Sequence, residues 1–124
     1  MTRPEDLKAK AERMQKFLEA SPSDQEEGLI DRLELLHVLV AQSGHCLAEA
    51  KYWLDQRKND SITQTLTEAL KDSWSTTVIN KKIDALCKDE NYLVNMLDRI
   101  NSSAGKQIQG LITIISYRKA QMSL

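Results

Sequence analysis

Residues 29–54 read LIDRLELLHVLVAQSGHCLAEAKYWL, and their spacing decides the fold. Leu29, Leu33, Leu36, Val40, Ser43, Leu47, Ala50 and Leu54 follow one another in alternating steps of four and three. A half-buried strand repeats every second residue, whereas steps of four and three return to one face of an α-helix. Sustained over about seven turns, the stripe has the heptad period at which two helices stay in register along a seam. Leu39, Cys46 and Trp53 recur beside it at seven-residue intervals and widen the apolar face. Ser43 and Ala50 are small enough for a partner helix to approach closely. Gly44, which costs about 1 kcal/mol relative to Ala inside a helix, marks close packing or a local bend.

Working outward, Pro22 followed by Asp24, Glu26 and Glu27 is a helix-start signal, because acidic groups favour the positive end of the helix dipole. The central helix is expected over 23–58. An earlier helix is expected over 3–20: Thr2 and Glu5 have capping-box spacing, and Pro4 falls in the first turn. Its inward face is Leu7, Ala11, Met14 and Leu18. Asn59-Asp60-Ser61 reads as a new cap, followed by a short helix over 61–72 with Ile62, Leu66, Ala69 and Leu70 inward. Four hydroxyl residues around Trp74 favour a bend at 73–77.

The last helix is expected over 77–122, again in steps of mainly four and three. Leu93, Leu97, Ile100, Ile108, Leu111 and Ile115 lie on its stripe. Asn101 to Gly105 is small and polar, and either breaks the helix or fits a tight crossing; continuity is favoured because no proline follows. The pattern therefore predicts an all-α fold in one domain, 1–124. It is an elongated antiparallel helical hairpin or bundle, with two long heptad-patterned helices, a short intervening helix and an N-terminal helix. The run Gln107–Tyr117 has no charged side chain and is apolar on more than one face, through Ile112 and Ile114 beside Leu111 and Ile115. So wide an apolar surface calls for a second chain. The heptad residues Leu29, Leu33, Leu36, Val40, Leu47, Leu54, Leu93, Leu97, Ile100, Ile108, Leu111 and Ile115 are accordingly expected to form the seam of a homo-oligomer.

Composition narrows the function. The 124 residues include 41% hydrophobic and 28% charged side chains but only 5% aromatics, enough to bury a core. Seventeen basic groups against eighteen acidic ones leave a net charge of −1, so no bulk polycation forces nucleic-acid or membrane binding. The chain opens into charged residues without an apolar leader, and its longest uncharged stretches are too short to cross a bilayer. Cys46 and Cys87 form no C-x-x-C unit and no zinc spacing. A cytoplasmic protein without membrane association is expected, in the host cytoplasm if it is phage-encoded.

Candidate chemistry is sparse. Glu34-x-x-His37 has the spacing of a di-iron ligand pair, but the only other histidine, His45, has Gln42 at the matching offset, so the constellation fails. His45 and Glu49 form an i,i+4 pair that reads as a solvated contact. Cys87 beside Ile83 and Leu86 reads as a small packing residue. There is no phosphate loop, nucleophile elbow, zincin motif or calcium loop. No enzyme, metal or cofactor is expected. Charge is uneven, with nine basic against twelve acidic groups in residues 1–62 and eight against six in residues 63–124. Lys81, Lys82, Lys106, Arg118 and Lys119 could contact phosphates, with Trp53 and Trp74 as stacking faces for unpaired bases. The stronger reading is that the lysines are the solvated face of a long helix and that the tryptophans pack at its ends.

The order of AEAKYWLD at 48–55, the short apolar helix at 62–70, SWSTT at 73–77 and LITIISYRK at 111–119 resembles small all-helical proteins of tailed bacteriophages and prophages. Such proteins are often encoded among early replication and recombination genes. The resemblance lies in layout over residues 30–122 and transfers no functional residue. It implies an accessory role in DNA metabolism or against host defence. The expected function is a non-enzymatic homo-oligomer that contacts another macromolecule, an unidentified protein, through its long helices. Two alternatives are a single-stranded nucleic-acid-binding recombination accessory and a defence inhibitor that binds a protein or sequesters a nucleotide signal between subunits.

Overall fold

A computed structural model describes residues 1–20 and 25–123. They form four helices: α1 (Pro4–Glu19), α2 (Glu26–Asp72), α3 (Thr76–Leu86) and α4 (Lys88–Met122). The 47 residues of α2 make a rod about 70 Å long at 1.5 Å per residue. The first two-thirds of α2 pack antiparallel to α4: Asn101 reaches Val40 and Ser43, while Gln107, further along α4, reaches back to Arg32. α1 lies against both, with Thr2 at Glu49 and its C-terminal carbonyls at Arg32. The result is an elongated all-α bundle of three helices, from which the distal part of α2 and α3 extend as a two-helix arm.

The heptad stripe makes the core of this one chain. Leu29, Leu36, Leu54, Leu93, Leu97, Ile100, Ile108 and Leu111 are buried, and Leu33, Val40, Leu47 and Ile115 are half-buried. Nearly all of them join one cluster that also takes in Leu7, Ala11, Met14 and Leu18 of α1. Each fully buried Leu or Ile contributes roughly 2 kcal/mol of transfer free energy. Eleven of the twelve residues expected to hold two chains together, all but Leu54, thus belong to the core that holds α2 to α4 within one chain. The antiparallel hairpin brings the two stripes together at no cost in association entropy, so the seam is satisfied before a second copy arrives.

Three boundaries differ from the sequence reading. Asn59-Asp60-Ser61 does not interrupt α2, because Ser61 is buried against the Cys87 thiol, which donates to its hydroxyl at 4.0 Å. Cap-type residues cost only a few tenths of a kcal/mol inside a helix, and packing overrides that. The short intervening helix is consequently α3, not residues 61–72. The long helix expected over 77–122 is instead divided at Cys87, whose backbone (φ −102°, ψ 13°) ends α3 and starts α4. Arg57 staples this corner. Its Nε donates to the Leu86 carbonyl at 3.1 Å and stands 3.8 Å from the Glu90 carboxylate. One guanidinium thus serves the negative end of α3 and an acid in the first turn of α4. Residues 101–105 continue α4 without a break, with Ala104 fully buried.

The third difference is at the start. Arg3 is the N-cap of α1 and makes no side-chain cap bond, so the Thr2–Glu5 capping box does not form. Thr2 is engaged elsewhere: its backbone N–H donates to Glu49, and its carbonyl accepts from the Trp53 indole, each at 2.8 Å. The helix start expected at Pro22 lies outside the described residues. α2 ends at Ser73 in the left-handed conformation (φ 53°), and Ser75 caps α3 by accepting from the Val78 N–H at 3.3 Å.

Candidate interaction surfaces

Polar locks fix the bundle and so fix what its outer faces present. At one end Arg32, only 8% exposed, donates to the carbonyls of Phe17 and Leu18 and to Gln107 Oε1. Its guanidinium lies 4.5 Å from the Phe17 ring centroid, and Gln107 Nε2 donates to the Leu18 carbonyl. A cation is tolerated here because it meets the negative end of α1 and a π face. At the other end Glu49 accepts from Thr2 and pairs with His45 Nε2 at 2.7 Å. Thr2, through its hydroxyl first and then its backbone N–H, holds the Glu49 carboxyl below its ordinary range; burial opposes this and His45 adds to it. The His45–Glu49 pair is therefore part of a tertiary lock as well as a solvated helix contact.

Between α1 and α2 runs an open groove of about 720 Å³. Met14, Leu39 and Cys46 form its floor, α2 contributes Leu35 and Val38 as one wall, and Lys10 and Arg13 stand on the α1 wall. Leu35 and Val38 are 54% and 53% exposed, unusual for aliphatic side chains in the middle of a bundle. Burial pushes the Cys46 thiol up, with Lys10 opposing and Glu49 reinforcing, so the groove holds a protonated thiol rather than a nucleophile.

The arm is the second incompletely covered surface. Its interior is small and polar, with Ser61, Thr65 and Ala69 buried, while α3 buries none of its residues fully. Ile62, Leu66 and Val78 are exposed, and Leu70 is 85% exposed. Ile112, Ile114 and Tyr117 near the end of α4 make a third exposed group.

The residues considered for phosphate and base contact are not brought together. Lys81 and Lys82 are exposed on α3, Lys106 is exposed on the middle of α4, and Arg118 and Lys119 lie in its last turns. Along α4 alone, Arg118 is about 45 Å from the Cys87 corner. Trp53 is half-buried, with its indole committed to Thr2 and its ring edge-on to Tyr52. Trp74 is half-buried in the α2–α3 turn. Glu34 and His37 are exposed on α2, and among the described residues no group of three or more His, Cys, Asp or Glu could hold a metal ion. Cys46 and Cys87 are both free and buried. No helix among the described residues is long and apolar enough to cross a membrane.

No family model matches the chain, and no curated protein or solved structure matches it either.

Proposed function

We propose that the chain is a non-enzymatic helical accessory protein, phage-encoded, that self-associates and works by presenting its long helices to another macromolecule. The observation that carries this reading is the apolar surface left over once the heptad stripe has been used inside the chain. Leu35 and Val38 on the bundle, and Ile62, Leu66 and Leu70 on the arm, remain open to solvent at helical spacing. The rigid lengths of α2 and α4, pinned by Arg32, Asn101 and Arg57, keep these residues in fixed rows, as a contact surface requires. The phage assignment rests on the layout resemblance alone.

Sedimentation velocity over a wide protein concentration range tests the reading. A discrete oligomer that forms reversibly is the expected result. A monomer at every concentration overturns self-association. Arm variants Leu66→Gln and Leu70→Gln should keep the oligomer mass while weakening capture of whatever macromolecule a pull-down identifies, because they alter a face distinct from the bundle.

A further inference from the structure

Resting on the self-association proposed above, we infer that the outer face of the α1–α2 groove is a two-fold interface: it docks on the same face of a second copy of this chain. The charge order along α2 carries the inference. Glu27, Asp31, Leu35, Val38, Gln42 and His45 form one exposed stripe, in steps of four, four, three, four and three. It runs from acidic through apolar to a polar end flanked by the basic α1 residues Lys10 and Arg13. Among the described residues, none of Glu27, Asp31, Lys10 and Arg13 takes part in an ion pair.

A face with acids at one end, bases at the other and aliphatic residues between them is complementary to itself after a half-turn. A two-fold axis passing midway between Leu35 and Val38 sets Leu35 against Val38 of the second copy, twice. The same axis carries Asp31 onto the second copy's position 42 and Glu27 onto position 46, the stretch of groove that Arg13 and Lys10 line together with Gln42 and Cys46. Both acids of each protomer thereby meet both bases of the other. The exposed aliphatic pairs close the groove, and the charges fix register and orientation more than they add affinity. His45 lies on the same face but is already held by Glu49 of its own chain. A parallel arrangement would instead set acids on acids.

Paired charge reversals test this. Variant one is Lys10→Glu with Arg13→Glu; variant two is Glu27→Lys with Asp31→Lys. Arg13, Glu27 and Asp31 are exposed and Lys10 is half-buried at the groove rim, so circular dichroism should report unchanged helicity. Each variant alone puts like charges at both ends of the interface and should dissociate at least about tenfold more readily than the wild type. An equimolar mixture, followed by native mass spectrometry, should form a heterodimer, since every contact in the mixed pair becomes opposite in sign. Wild-type association should also weaken with added salt. If both variants associate as the wild type does, or the mixture stays unpaired, this interface is wrong and self-association uses the arm or the end of α4. If the wild type is monomeric throughout, the underlying reading fails as well.

Discussion

The side-chain amide of Asn101 on α4 donates to the hydroxyl of Ser43 on α2 at 3.0 Å, inside the seam that joins the two long helices. The same amide also donates to the Val40 carbonyl at 3.0 Å, which in turn accepts from Ser43 at 3.2 Å. An apolar heptad seam alone can slide by a turn and rebury equivalent leucines. A polar side chain that finds its partners in only one alignment removes that freedom. This crossing does not require Gly44 to lack a side chain: a Cβ there would sit 3.7 Å from Asn101 Nδ2, an ordinary contact.

Two opposite effects follow at this crossing. Asn101→Ala leaves the Val40 carbonyl and Ser43 with one donor fewer and should cost about 1–2 kcal/mol. Gly44→Ala adds a methyl group that fits and removes glycine's helix penalty, so it should stabilise by roughly 0.5–1 kcal/mol. Urea denaturation followed at 222 nm distinguishes them by midpoints moving in opposite directions with unchanged slope.

Leu97 separates a core from a seam between chains. It is fully buried within one chain, beside Ile100 and Ala104. Leu97→Ala should cost about 2–5 kcal/mol from lost transfer energy and the cavity left behind. Leu97→Asp buries an unpaired carboxylate and should prevent folding altogether. A helical, well-folded monomer from Leu97→Asp would contradict the assignment of this residue to the intrachain core.

Glu49 makes stability depend on acid. Its folded-state carboxyl lies below the ordinary value, chiefly through Thr2, with His45 adding and burial opposing. For a carboxyl depressed in the folded state, the stabilisation is present above the unfolded value and is lost as pH falls through the folded one. Arg3, Asp6, Lys10 and Arg13 line the same recess. Glu49→Gln should therefore be less stable than the wild type near neutral pH, with the difference vanishing in acid once pH has fallen through the depressed carboxyl value. Denaturant midpoints of the two proteins across pH check this; a constant offset would mean that the carboxylate charge does not act.

Much of the architecture was legible in the sequence because helical periodicity is a property of single elements. The steps from Leu29 to Leu54 and from Leu93 to Ile115 announce two long amphipathic rods, and the hydroxyl cluster around Trp74 announces the turn between α2 and α3. What periodicity does not carry is which rod a stripe faces, so an intrachain core read as a seam between chains. The Cys87 corner was masked because its signals are tertiary: a thiol on Ser61 and an arginine arriving from residue 57. Asp89 and Glu90 just beyond Cys87 were the available hint of a new helix start. Likewise Asn101 read only as part of a small polar stretch and Arg32 gave no signal at all, because their partners come from other helices. The exposed α1–α2 face was legible only once α1 had been placed beside α2.

Ser73 holds a conformation its side chain disfavours. At φ 53° and ψ 47° it ends α2, and the following Trp74 N–H donates to the Ala69 carbonyl at 3.2 Å. A Cβ in the left-handed region costs roughly 1–2 kcal/mol, which glycine avoids. Glycine also gains freedom in the unfolded chain, which offsets part of the relief. Ser73→Gly should raise stability by about 0.5–1 kcal/mol and the melting temperature by roughly 2–4 °C. Calorimetry checks the shift, and an unchanged or lower melting temperature would mean that the Ser73 side chain contributes to the turn.

Arg32 provides the sharpest test of how α1 is attached. Its guanidinium bonds the Phe17 and Leu18 carbonyls and Gln107, so one side chain joins α1, α2 and α4. Arg32→Met keeps the buried stem but leaves those acceptors without their donor, which should cost about 2–4 kcal/mol. Arg32→Lys keeps the charge but not the planar fork or the stacking on Phe17, and should recover only part of the loss. The damage should be local. Hydrogen exchange should show amides in the second half of α1 losing protection in Arg32→Met while those around Leu97 and Ile100 keep theirs. Uniform loss of protection across all the helices would instead mean that α1 and the α2–α4 hairpin unfold as a single unit, with Arg32 supporting the whole rather than docking one helix.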